Sequence, residues 1–163
     1  MSIATVFLAE LERESVSTEQ ILLRVPAEKL DWRPHEKSMT LGDLAWHIAG
    51  IPARISAVVE EGTFDVEGAR PAVRTSADFV ERLHLSVAEA RRIVGALDDE
   101  AIKRPVNFMR GDEAALTLPK LTVIRALMLN HTYHHRGQLT VYLRLLDVPL
   151  PPIYGTSADE KLF

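Results

Sequence analysis

Apolar residues recur at steps of three and four along most of the chain, the spacing that stacks side chains on one face of a helix, and the pattern predicts four long helices. The first runs from residue 3 to about 25, with Ser2 placed to cap its free amides and Pro26 to stop it. Leu8, Leu11, Leu22 and Val25 share one side of it, which Ser15 and Thr18 interrupt. The second opens at Thr40, whose hydroxyl can accept from the amide three residues on while Asp43 reaches back, a capping box. Its stripe reads Leu41, Leu44, Ile48, Ile51, Ile55 and Val58, and Gly62 ends it. The third starts near Ser76 and carries Val80, Leu83, Val87, Ala90, Val94 and Leu97 on the same rhythm, with Asp98 and Asp99 beyond.

The fourth helix opens after Pro119, whose missing amide suits a first helical turn, and Pro149 closes it. Its stripe reads Leu121, Ile124, Met128, His131, His135, Gln138, Tyr142 and Leu145, which places two histidines and a glutamine where the core should be. Strand signals are sparse; the stretch 106–118 contains a Gly111-Asp112 turn and reads as either a short hairpin or an irregular loop. Linkers fall at 26–39, 62–75 and 98–118. Four amphipathic helices joined in this way predict an all-α fold, an antiparallel or crossover four-helix bundle forming a single domain over residues 1–163.

Composition narrows the possible functions. The chain is 47% apolar and 26% charged with a mean hydropathy of zero, which points neither to disorder nor to a membrane protein. Lys and Arg total 19 against 23 Asp and Glu, a net charge of −4, and no basic cluster is interleaved with aromatics, so nucleic acid is not an expected partner. No apolar run approaches the ~18–20 residues needed to span a bilayer, and the amino-terminal stretch lacks a basic leader and soon reaches Glu10, Glu12 and Glu14. A cytoplasmic protein is expected. The absence of cysteine excludes disulfides, iron–sulfur clusters, thiolate zinc sites and a cysteine nucleophile, so any thiol chemistry must use a thiol brought by a substrate.

The chemistry-bearing residues are the histidines. Residues four apart lie above one another on a helix, so His131 and His135 can present two imidazoles to one ion. His47 is the best third ligand, because it lies in the middle of the second helix beside the Leu44, Ile48 and Ile51 stripe. Three neutral imidazoles leave coordination positions open, the pattern of a catalytic site. Buried imidazoles without partners are costly, at about 1–3 kcal/mol per orphaned group, and a metal would satisfy them directly. The competing reading is a hydrogen-bonded or partly solvated polar core without metal.

The other histidines are weaker candidates. His134 points about 100° away from His135 on the helix and reads as a surface residue or a support to the site. His35 follows Pro34 in a loop and reads as solvated, and His84, in the single Glu81-Arg82-Leu83-His84 unit, lacks the second such unit that a di-iron bundle needs. Thr132 and Tyr133 follow His131 where a zincin would place its glutamate, so peptidase chemistry of that kind is not expected. Gln138 can orient the ring of a histidine one turn away, whereas Arg136 can either shape the site or pair with an acid on a neighbouring helix. Gly137 inside a helix costs ~1 kcal/mol relative to alanine, which raises the expectation of a close helix approach or a dimer contact there.

Trp32-Arg33-Pro34 in the first linker, Leu44-Ala45-Trp46-His47-Ile48-Ala49 in the second helix, His131-Thr132-Tyr133-His134-His135-Arg136-Gly137-Gln138-Leu139 in the fourth and Pro152-Ile153-Tyr154-Gly155 in the tail resemble the DinB/YfiT-like family of metal-dependent enzymes. The resemblance covers nearly the whole chain, and its most specific piece is the run His131, His135, Arg136, Gly137, Gln138. It implies a four-helix bundle, often a homodimer, with a divalent ion held by His47, His131 and His135. Related bundle proteins include S-transferases and isomerases that use low-molecular-weight thiols such as bacillithiol or mycothiol. Three imidazoles suit several divalent ions, so ligand type leaves the metal open; zinc or nickel is expected, with iron or manganese as alternatives. The expected function is a metal-dependent enzyme that activates a thiol, as in an S-transferase, or water, as in a hydrolase, on a small-molecule substrate. The alternative is a non-catalytic, stress-associated metal-binding bundle, and a third reading is a metal-free small-molecule binder. An open coordination position facing a pocket separates the first from the second, in which a fourth protein ligand would close the site.

Overall fold

In the computed structural model, residues 1–64, 75–110 and 113–161 are described; the Gly111-Asp112 turn and positions 65–74 of the second linker lie outside the described residues. Helix α1 spans Ile3–Leu22, and its cap is the expected one, with Ser2 Oγ accepting the Thr5 N–H at 3.2 Å. It ends earlier than 25, yet Val25 is buried all the same. The face that α1 buries is Ala4, Phe7, Leu11, Glu14, Thr18, Ile21 and Leu22, so Leu11 and Leu22 lie on it as expected while Leu8 lies at the margin, and the polar break falls at Glu14 and Thr18, with Ser15 only half-buried.

Helix α2 spans Leu41–Glu61 under the Thr40 cap, whose hydroxyl accepts the Asp43 N–H at 3.1 Å, and all six expected stripe residues are buried. Gly62 closes it in the left-handed conformation, φ 75°, which a residue without a Cβ adopts freely. Pro52 sits inside α2 and supplies no amide hydrogen; the next amide, Ala53, donates instead to Ser86 Oγ at 2.7 Å on the neighbouring helix. That neighbour is α3, Ser76–Gly95, opened by a full capping box between Thr75 and Asp78. Its inner face is Phe79, Leu83, Ser86, Ala90, Ile93 and Val94, so Val80, Val87 and Leu97 flank the core instead of forming its centre.

The fourth helix, α4, covers 120–145 in three parts: α-helical over Lys120–Val123, π-helical over Ile124–Asn130 and α-helical again over His131–Leu145. A π-helical stretch bonds i to i+5 and so fits more residues into each turn. The buried face therefore advances by fours, through Ile124, Met128, Thr132 and Arg136, before continuing to Leu139 and Leu143. This corrects the stripe expected from a regular helix: His131 and His135 are half-buried at the edge of the core, while Gln138 and Leu145 are exposed. The helix ends in a Schellman motif, with Asp147 at φ 58° and the Val148 N–H bonded to the Leu143 carbonyl at 3.0 Å.

Among the described residues the bundle also carries a small sheet, of β1 Thr63–Phe64, β2 Pro105–Arg110 and β3 Glu113–Pro119 in that order. The two longer strands form an antiparallel pair from Pro105↔Pro119 to Arg110↔Glu113, with a register shift between Phe108 and Met109, so 106–118 is a hairpin and not an irregular loop. Strand β1 adds in parallel beside β2. The core has two parts, one under the sheet around Ile55, Val59, Val94 and Met128, the other around Ile21, Leu44, Phe79 and Leu139. Leu150 and Ile153 of the tail pack onto the second. No described helix is long and apolar enough to cross a membrane.

Candidate metal centre

Two helices bring three imidazoles together. His131 and His135 stand one turn apart on α4, and His47 faces them from the middle of α2. The Nε2 atoms of His131 and His135 are 2.7 Å apart, those of His47 and His131 are 3.4 Å apart, and one ligand nitrogen from each of the three fits within 4.8 Å of the others. Among the described residues no other histidine or carboxylate joins this group.

The partners of the rings decide which way their lone pairs point. His131 Nδ1 lies 3.3 Å from the Leu127 carbonyl, an acceptor, so that nitrogen carries the proton and Nε2 keeps its lone pair. His135 Nδ1 likewise donates to Gln138 Oε1 at 2.6 Å. Two Nε2 lone pairs therefore oppose each other at 2.7 Å. Such a contact is relieved by a cation between the nitrogens, so the donor set fits a divalent ion. Burial pushes the pKa of both His131 and His135 below the ordinary histidine value, which keeps them neutral and available as ligands near pH 7.

One side of the group is open. His47, Ile51, Arg54, Ile55, Leu127 and His131 line a pocket of about 210 Å³, so a small molecule can approach the imidazoles from a wall that is mostly apolar and carries one cation. The remaining histidines stand apart. His134 is exposed, with its ring 4.9 Å from that of His135; His84 pairs with Glu19 at 2.9 Å; His35 accepts the Lys37 N–H in the first linker.

Arg136, left with two readings by the sequence, is one of the most buried side chains of the molecule, 2% exposed. Its guanidinium donates to Glu14 Oε2 at 2.6 Å, to the Glu14 carbonyl at 3.1 Å, to Thr18 Oγ1 at 3.2 Å and to the Tyr154 hydroxyl, which in turn donates to Glu14 Oε2 at 2.7 Å. The pair with an acid on a neighbouring helix is thus the correct reading, and it fixes the rotation of α4 next to His135. A second cluster lies near it: Glu10 on α1 takes a two-pronged bond from Arg125 at 2.7 and 2.8 Å and accepts the Tyr133 hydroxyl at 2.6 Å. The Arg125 bonds hold the Glu10 carboxyl at about 2. The sequence offered the pairing of Arg136 without naming its acid, for which Glu14 and Thr18, a polar pair inside an apolar stripe, were a signal; the Glu10 cluster it missed altogether. Gly137 is exposed, and among the described residues a Cβ there would meet nothing within 4 Å, so no close approach of a described helix accounts for it.

The comparisons with known proteins agree with this architecture. The chain is 29% identical over 158 residues to Bacillus subtilis (strain 168) "Uncharacterized protein YrdA", covering 94% of this chain and 89% of that protein. Its fold is similar to that of a crystallised DinB-like protein, YjoA, of Bacillus subtilis, with a TM-score of 0.70 at 18% identity, over 96% of this chain and 99% of the other. A DinB-like protein of Bacillus cereus ATCC 10987 gives a TM-score of 0.68 at 25% identity, over 91% and 95% of the two chains. The family model described as "DinB family" matches residues 1–161, and the chain belongs to the DinB family.

Proposed function

We propose that the protein is a divalent-metal-dependent enzyme, of transferase or hydrolase type, that works on a small molecule at the group His47, His131 and His135. The observation that carries this reading is the convergence of three imidazole nitrogens, two of them with lone pairs fixed inward, beside an open pocket and with no fourth ligand among the described residues. A zinc or nickel ion held there would lower the pKa of a thiol or of water. The protein's own groups do the rest: Gln138 and the Leu127 carbonyl hold the two ring protons on the far side, and Ile51, Ile55 and Leu127 exclude water from the approach. Because the chain contains no cysteine, a thiol reaction here takes its sulfur from a low-molecular-weight cosubstrate. A cytoplasmic homodimer is the setting that goes with this reading.

The test is the metal content of untagged protein, measured by elemental mass spectrometry, with the melting temperature as a second readout. Near-stoichiometric metal in the parent, lost in folded His131→Ala and His135→Ala proteins, is the expected result. An empty parent whose melting temperature does not rise with added zinc or nickel would leave the histidines as a polar margin of the core and end the metalloenzyme reading.

A further inference from the structure

One residue round α2 from the histidine face, about 100° away, Trp46, Gly50 and Ala53 form one wall of a second pocket, of about 380 Å³, whose other wall is Arg82, Leu85 and Ser86 of α3. Arg82 dominates it. Its guanidinium lies over the Trp46 ring, 3.9 Å from the centroid. A Cβ at position 50 would stand 2.3 Å from Arg82 Nη2, so the guanidinium occupies the space that only a glycine leaves on this helix. Arg24, Arg91, Arg92, Arg125, Arg136 and Arg144 each grip a carboxylate. Arg82 makes no hydrogen bond or ion pair among the described residues, and its Nε is enclosed without an acceptor.

The two acids beside it do not neutralise it. Asp78 accepts from the Thr75 amide and hydroxyl in the capping box, and Glu81 is exposed. Burial lowers the Arg82 pKa with no carboxylate opposing the effect. A guanidinium held over an indole, with its Nε side against Gly50, leaves its Nη donors in a restricted position, which suits recognition of a carboxylate. Trp46, Ala53 and the exposed Leu85 supply an apolar surface in the same pocket, and the volume falls in the ~300–1,000 Å³ range of small-ligand sites.

We propose that the α2–α3 groove is a second ligand site, separate from the three histidines, that binds a small organic carboxylate with an apolar body through Arg82, Trp46 and Gly50. The proposal does not depend on an ion at the histidine group.

The experiment is an NMR titration of the full-length, metal-free protein with phenylacetate, with neutral phenylacetamide as the control, following the Arg82 Nε–H and Trp46 indole signals. Phenylacetate is expected to shift both signals saturably, and phenylacetamide is not. Arg82→Met and Leu85→Asp, the latter placing a negative charge at the exposed rim, should each weaken binding about tenfold or more. Gly50→Ala should move the Arg82 Nε–H signal before any ligand is added. Absence of saturable shifts, equal binding of the amide, or unchanged affinity in Leu85→Asp overturns the proposal, and the last result decides alone if Arg82→Met fails to fold. An Arg82-dependent dimer with no response to phenylacetate overturns it too, by showing that a second copy covers the groove.

Discussion

A single buried arginine illustrates how one side chain can set the geometry of a site it does not enter. Arg136 and Glu14 are 2% and 8% exposed, and every acceptor around the guanidinium belongs to α1 or the tail. Removing one partner of such a pair strands the other charge, at a cost of about 3–5 kcal/mol. Glu14→Gln is therefore expected to lower stability by about 3 kcal/mol in urea unfolding. Arg136→Met made on top of it should cost much less than Arg136→Met alone, which a double-mutant cycle measures. At this scale the sequence was legible for the histidines and obscure for Arg136. His131 and His135 announce themselves by a spacing of four, whereas the partner of Arg136 lies 122 residues away and no local pattern connects the two.

At the level of elements, the helices of the sequence are the helices of the structure, and what the sequence misplaced is which way some of them face. For α2 the apolar stripe, the Thr40 hydroxyl cap and the closing Gly62 agree, and all six stripe residues are buried. For α4 a rule of 3.6 residues per turn extends the stripe from Met128 to His131, His135 and Gln138, whereas the π-helical stretch over Ile124–Asn130 turns the helix so that Thr132, Arg136 and Leu139 follow instead. Nothing in the residue types of that stretch signals the change of period. The histidines reach the edge of the core, where a pocket meets them, because of this offset. The same element carries Gly137 in its exposed part, where an added methyl group would find nothing within 4 Å among the described residues. Gly137→Ala should therefore raise stability by about 1 kcal/mol with metal content unchanged, as read by urea unfolding and elemental mass spectrometry.

For the whole molecule, the pKa shifts predict a response to acid in two stages. His131 and His135 have pKa values below their unfolded values because of burial, so as the pH falls through about 6.5 the unfolded chain takes up protons that the folded one refuses, and stability declines. Glu10, held at about 2 chiefly by its bonds from Arg125, contributes stability that is complete above the ordinary glutamate value and is lost as the pH falls from there toward 2. Urea midpoints of metal-free protein measured against pH should show both limbs, with Glu10→Gln flattening the lower one and His131→Gln part of the upper. The sequence disclosed the bundle but not this long-range wiring, since the bonds that join α1 to α4 and to the tail span more than a hundred residues. That wiring also sets a clock on assembly. Glu14 is synthesised 122 residues before Arg136, an interval of about 6–24 s at ~5–20 residues per second. Throughout it the first helix has an acid in its apolar face and no cation to meet it, so α1 reaches its final seat only after translation has passed the histidine motif.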